Sequence, residues 1–161
     1  MPERSPERTI SFERERGVTD IRVTGGMAHL IVHDPDRQHL TLLKGLADAA
    51  VPIRLVKFHP TGVSFAIRQT YLEGAGAVLD LQGLRYTTQS DLVVVSTIAG
   101  AMRDLSGVIA HIFEALIGAG VRVYQTGDAY NAVHCLVDAS DAQRAESALR
   151  QRFEVPAVDA V

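Results

Sequence analysis

The stretch LIGAGVRV, residues 116–123, has a counterpart seventy residues earlier in LADAAVPI, residues 46–53. Each begins with leucine, has alanine at its fourth position, and ends on two β-branched residues separated by one other residue. The same offset pairs Val63 with Val133 without a gap. A repeat that keeps its apolar positions in this way indicates two copies of one supersecondary unit.

The first copy has the pattern of a β-α-β-β-α-β unit. Residues 18–23 alternate like a half-buried strand, and the glycine pair that follows them predicts a turn into a second strand at residues 27–33. Leucines spaced three and four apart predict a helix over residues 37–50, and residues 71–82 predict a helix weakened by glycine. Further strands are predicted at residues 52–59, 63–69 and 84–89.

The second copy repeats this order. A strand is predicted at residues 91–98, a helix at 106–119 and a second helix at 141–153, with two paired strands between the helices at 121–127 and 132–138. The predicted fold class is α+β: two ferredoxin-like βαββαβ units, whose antiparallel sheets carry helices on one face. Since one unit of this size buries only a small core, the two copies are expected to pack against each other.

Composition excludes several classes of function. The 161 residues carry a net charge of −3 and no dense basic face, which argues against nucleic-acid binding. No apolar run approaches the roughly 20 residues needed to span a bilayer, so no membrane association is predicted. The single cysteine is typical of a reducing cytoplasm. Residues 1–17, rich in Arg and Glu, are predicted to be a flexible arm or linker, and residues 156–161 a tail.

The loop GAMRDLSG, residues 100–107, precedes the helix of the second copy. The first N–H groups of a helix have no partner within it, and the helix dipole adds partial positive charge there. Glycine at both ends of the loop lets the backbone approach a ligand, and the arrangement suits an α-carboxylate. An alternative stays open, in which Ser106 is only a helix cap and Asp104 a solvated charge.

Other reactive side chains do not form a recognisable site. His29 and His33 share one strand face with His39 beyond it, but the first two would lie about 13 Å apart at the strand rise, too far to bind one ion. Cys135 stands among apolar strand residues and is predicted to be buried and unreactive. Neither a metal site nor a catalytic acid–base pair is predicted, and the chain is not expected to be an enzyme.

The segments FERERGVTDI, GAMRDLSGVIAHIFEALIGAGVRV and VHCLVDASDAQRAESALRQRF resemble the tandem ACT domains in the regulatory region of aspartate kinases. The resemblance covers about residues 12–153, is strongest in the second copy, and includes no kinase catalytic domain. It implies that residues 18–90 form the first ACT unit and residues 91–155 the second. It also implies that residues 18–23 are a strand donated to the second unit's sheet.

The resemblance further implies a regulatory protein that senses a small free amino acid, such as threonine or lysine, with no other cofactor. The expected partners are a second copy of the chain, in a homodimer, and a separate kinase catalytic subunit. The candidate ligand-binding residues lie in the two loops before the helices and after the second strand of each unit. They are Met102, Arg103, Asp104, Leu105, Ser106, Gly107, Asp34, Asp36, Gln38, His59, Gln125 and Asp128.

One departure from the family pattern motivates an alternative function. Phe58 and His59 stand where the family typically has a Gln-Asn pair that helps to bind threonine or lysine. A ring and an imidazole in place of two amides favour a ligand-free module for dimerisation or assembly, which has lost the effector site. A small enzyme on the same frame is a third hypothesis, since a fold does not determine a function.

Overall fold

The computed structural model describes residues 17–100 and 106–158. Residues 1–16 of the predicted arm, the loop residues 101–105 and the last tail residues 159–161 lie outside the described part of the chain. The described elements are β1 (Val18–His33), α1 (His39–Asp48), β2 (Ile53–His59), β3 (Gly62–Arg68), α2 (Leu72–Leu81), β4 (Arg85–Ala99), α3 (Val108–Gly118), β5 (Val123–Ala129), β6 (Ala132–Asp138) and α4 (Ala142–Arg152). None of the described helices is both long and apolar enough to cross a membrane.

The repeated stretch forms the same helix ending in both units. Ala50 and Gly120 have positive φ angles of 56° and 70°, just after α1 and α3. The N–H of the next residue donates to the carbonyl oxygen of the leucine that begins the stretch. Val51 donates to Leu46 and Val121 donates to Leu116, at 2.9 Å in each case. This bond pattern is a Schellman motif, in which a left-handed residue closes the helix and an apolar residue returns to the core.

The six strands form one antiparallel sheet in the order β2-β3-β1-β4-β6-β5. Residues 27–33 of β1 lie between β3 and β4, whereas residues 18–24 pair with the far half of β4, from Val94 to Ala99. Each half of the sheet, with its two helices, therefore has the ferredoxin-like strand order. The α+β prediction is confirmed, although the two expected sheets are joined into one through β1 and β4.

The predicted turn at the glycine pair is wrong, because β1 continues through Gly25 and Gly26. Gly26 adopts a φ of 68°, and the register with β4 shifts between Thr24 and Met27, which marks a bulge. The strands predicted on either side of residue 90 also form one element, β4, in which Asp91 has a φ of 58°. The bulges bend each long strand from one unit into the other, so glycine here redirects the chain without reversing it.

Three apolar clusters hold the fold together. One lies between α1, α2 and the first half of the sheet, and a second between α3, α4 and the other half. The third lies between the two helix-free sheet faces and is called the seam; its members are Met27, Leu55, Ala66, Leu92, Val94 and Leu136, with Tyr124 packed against them. The edge strands β2 and β5 meet at the seam, where a Cβ on Gly127 would lie 2.6 Å from Leu55 Cδ2.

Candidate functional site

The first candidate loop, residues 34–38, is closed by Asp34. This residue is almost fully buried, and its Oδ1 accepts a hydrogen bond of 3.0 Å from the N–H of Gln38 at the start of α1. Its own N–H donates to Thr61 O at 2.8 Å, and its Oδ2 lies 2.7 Å from His39 Nδ1 without hydrogen-bond geometry. Asp34 therefore joins the loop, α1 and the β2–β3 hairpin, whereas Asp36 and Gln38 are exposed.

A pocket of about 480 Å³ opens beside this loop, at the free end of the first unit, and is called the end pocket. It is lined by Ile31, Val32, His33, His59, Thr61, Gly62, Arg85, Tyr86 and Thr87. His33 and Arg85 are register partners on β1 and β4, and His59 ends β2. Antiparallel pairing thus brings residues distant in sequence to one end of the sheet.

The end pocket combines cationic and neutral polar groups with an apolar wall. Arg85 carries a fixed positive charge, and two imidazoles and two threonine hydroxyls stand around it. His59 Nε2 lies 2.9 Å from Ser64 Oγ, which orients its ring. None of the nine lining residues is acidic, so the pocket suits a carboxylate, whose two oxygens match the fork of a guanidinium.

The second candidate loop differs from the first. Met102, Arg103, Asp104 and Leu105 lie outside the described residues. Gly107, with a φ of 74°, is the N-cap of α3, and no side chain caps this helix among the described residues. The alternative in which Ser106 is the helix cap is therefore wrong; Ser106 is exposed instead. The first N–H groups of α3 thus have no side-chain acceptor in the described part of the chain.

The structure does not bring together the predicted residues that it describes. The two loops follow opposite ends of the antiparallel β1–β4 pair, which is roughly 50 Å long at the usual strand rise. Asp34, Asp36, Gln38 and His59 lie at one end, and Ser106, Gly107 and Asp128 at the other. Gln125 lies between them, buried at the seam.

Sequence reasoning missed His33, Arg85 and Thr87 as pocket residues. Arg85 begins β4 and His33 ends β1, and neither stands in a motif. The alternation of strand side chains indicates that Arg85 and Thr87 share a face, but only the β1–β4 register places that face beside His33 and His59. The missing information was the pairing of strands fifty residues apart.

A polar pair is buried inside the seam. His29 and Gln125 are only 4% and 6% exposed, and His29 Nε2 donates to Gln125 Oε1 at 2.8 Å. Burial lowers the pKa of His29 and outweighs the hydrogen bond, which raises it. The nitrogen of the same amide, Gln125 Nε2, is buried without a partner among the described residues. Gln125 is therefore committed to the packing between the units.

Cys135 is buried in the second core, as predicted. Desolvation raises the pKa of its thiol to about 12. A thiol with this pKa stays protonated at neutral pH, where the protonated form is a poor nucleophile. This residue has no chemical role that the described structure supports.

Known proteins share this fold. Residues 87–151 match the family model of the ACT domain, and no curated protein sequence matches the chain significantly. A crystal structure of aspartokinase alpha and beta subunits is 22% identical and superposes with a TM-score of 0.81, over 86% of this chain and 100% of that chain. The ligand-free regulatory subunit of aspartate kinase from Thermus thermophilus is 17% identical, with a TM-score of 0.77, over 86% of this chain and 99% of that one.

A longer protein contains the same fold as a part. The chain matches the aspartate kinase from Synechocystis at 21% identity and a TM-score of 0.77, over 91% of its own length but only 29% of that chain. Residues 87–151 thus resemble an ACT domain, and the chain has the fold of the regulatory subunits and regulatory regions of aspartate kinases.

Proposed function

We propose that this protein is a regulatory subunit that senses a free amino acid and modulates a partner enzyme, which we infer to be a separate aspartate kinase catalytic subunit. The end pocket is the observation that carries the proposal. It offers a guanidinium, two imidazoles and two hydroxyls next to apolar side chains, in a volume of about 480 Å³ that suits a small metabolite.

In the proposed complex, Arg85 binds the α-carboxylate through two charge-assisted hydrogen bonds. The α-ammonium is held by backbone carbonyls and by an acceptor nitrogen of His33 or His59. The side chain of the amino acid lies toward Ile31, which is 51% exposed. Threonine and lysine are the effectors that the resemblance to the aspartate kinase family suggests.

Regulation follows from differential binding. The end pocket takes residues from β1, β3 and β4 and from the end of β2, so a ligand there favours whichever arrangement of these strands fits it best. A ligand shifts a conformational equilibrium only by the difference between its affinities for the two states. By linkage, the partner that prefers the ligand-bound state raises the affinity for the ligand by the same factor.

The test is a panel of the twenty amino acids, measured by the shift in melting temperature of the full chain. We expect one or a few amino acids to raise the melting temperature, and Arg85→Gln to weaken their binding about tenfold, the usual scale for a lost charged hydrogen bond. Arg68→Gln is the matched control, because Arg68 is exposed at the other end of β3 and does not line the pocket. The proposal fails if no amino acid stabilises the chain, or if both variants respond alike.

Exposed apolar groups favour a second candidate, an assembly module without a ligand. Phe58 and Val56 on the edge strand β2 are 53% and 46% exposed, close to the end pocket. An edge strand with such side chains is a template for pairing with another chain, here a second copy. Sedimentation at several protein concentrations, with and without the amino acids, separates the candidates: a dimer indifferent to all twenty supports the assembly module.

A further inference from the structure

The two sides of the seam can be compared position by position, because the strand registers are the same in both units. His29 pairs with Ala66 in the first unit, and Val94 pairs with Leu136 in the second, so His29 and Val94 are equivalent positions. The seventy-residue offset makes Leu55 of the first unit equivalent to Gln125 of the second. On one side, the large polar side chains of His29 and Gln125 fill the space and bond to each other. On the other side, the equivalent positions hold Val94 and Leu55, which are smaller or shorter in reach.

The side with the smaller residues is hollow. A cleft of about 260 Å³ lies there between the two units, and we call it the seam cleft. Its lining residues are Thr24, Arg54, Leu55, Val94, Ser96 and His134. Arg54 and Leu55 belong to β2 of the first unit, whereas Ser96 and His134 are register partners on β4 and β6 of the second.

The polar groups of the seam cleft are mostly donors. His134 Nδ1 lies 2.8 Å from Ser96 Oγ, and a serine that donates to this nitrogen leaves the proton of the ring on Nε2. His134 Nε2 and the guanidinium of Arg54 form no hydrogen bond or ion pair within residues 17–100 and 106–158. Thr24 adds a hydroxyl, and none of the six lining residues is acidic.

Two of these groups repel each other when both are charged. Burial lowers the pKa of His134, and the positive charge of Arg54 lowers it further, so the two side chains are close enough to interact. An anion between them would remove that repulsion and would accept from both. The cleft has unfilled volume, an unpaired guanidinium and no carboxylate in its lining. All three features fit a small anion.

We propose that the seam cleft binds a small oxyanion, a carboxylate or a phosphate group, held by Arg54 and His134. This site is separate from the end pocket and goes beyond the proposed amino-acid sensing. Because Arg54 comes from the first unit and His134 from the second, a bound anion links the two units. It stabilises the arrangement in which their helix-free faces are packed together.

The test uses calorimetric titration of the full chain with sodium phosphate and, separately, with disodium succinate, with sodium chloride at matched ionic strength as the reference. Arg54→Gln removes the charge and keeps most of the side chain. His134→Ser introduces the residue that the first unit has at this position, Ser64. Arg68→Gln is the control for charge, and circular dichroism confirms that each variant is folded.

We expect at least one of the two probes to bind, with affinity lowered about tenfold in Arg54→Gln and lowered also in His134→Ser, but unchanged in Arg68→Gln. Heat from phosphate alone identifies a phosphate site, and heat from succinate alone a carboxylate site. The proposal is overturned if neither probe exceeds chloride, or if Arg54→Gln binds like Arg68→Gln. Loss of binding in Arg85→Gln but not in Arg54→Gln would place the anion in the end pocket, and would also overturn it.

Discussion

A double-mutant cycle on His29 and Gln125 tests the packing of the two units. The substitutions are His29→Val and Gln125→Leu, because valine and leucine are the residues at the equivalent positions on the hollow side of the seam, Val94 and Leu55. Either single change leaves a buried polar group without its partner, at a cost of about 1–3 kcal/mol. The double variant leaves neither, so its loss of stability should be smaller than the sum of the single losses by about 1–2 kcal/mol.

The assay is urea unfolding at pH 8. His29 is neutral in the unfolded chain there, because the ordinary pKa of histidine is about 6.5. It is neutral in the folded chain as well, where burial lowers its pKa further. The free energies of unfolding of four proteins, the unsubstituted chain, two single variants and the double variant, give the coupling energy. A control cycle combines His29→Val with Gln151→Leu. Gln151 is exposed on α4, which packs on the opposite face of the sheet from the seam.

We expect the control cycle to be additive within about 0.5 kcal/mol. A coupling between His29 and Gln125 no larger than that of the control would refute the reasoning. It would mean that the 2.8 Å hydrogen bond contributes nothing specific to the seam, and that the asymmetry between its two sides has another cause.

Three further predictions concern a buried carboxylate, two histidines and the cysteine. Asp34→Ala should lower the free energy of unfolding by about 2 kcal/mol, because it removes the acceptor of the Gln38 N–H and the carboxylate beside His39 Nδ1. Asp36 is exposed, so Asp36→Ala should change the free energy of unfolding by less than about 0.5 kcal/mol in the same urea assay. His29 and His134 have lowered pKa values when folded, so the unfolded chain binds more protons; stability should fall as the pH drops below about 6.5, and a flat pH profile would contradict this. Cys135 should react with a thiol reagent only as fast as the chain opens, and rapid labelling of the native protein would argue against its burial.

Local pattern predicted the units but not how they join. Apolar spacing identified the four helices with every end placed within two residues, and the repeat indicated two βαββαβ units. The turn predicted at Gly25 and Gly26 failed because glycine permits a bulge as readily as a reversal. Whether a bulge or a reversal forms depends on the neighbouring strand, here β4. The part of β4 that pairs beside the glycines, residues 92–94, is far from them in sequence.

The candidate site divides in the same way. The chemistry of a carboxylate site was predicted from local features, and His59 does line the end pocket. Arg85, His33 and Thr87 carry no local signal, since an arginine or histidine at a strand end is ordinary until another strand is set beside it. Gln125 was predicted as a ligand residue, but the structure places it at the seam, because the curl of the sheet turns that face of β5 inward.

The sequence by itself determined the repeat, the helix endings and the identity of the buried faces, because each depends on residues within a few positions of one another. The tertiary structure alone decided that two sheets merge through β1 and β4, that the end pocket gathers around Arg85, and that the seam is filled on one side and hollow on the other. These features arise from contacts between residues about 30 to 100 positions apart, and no local propensity encodes the register of such contacts.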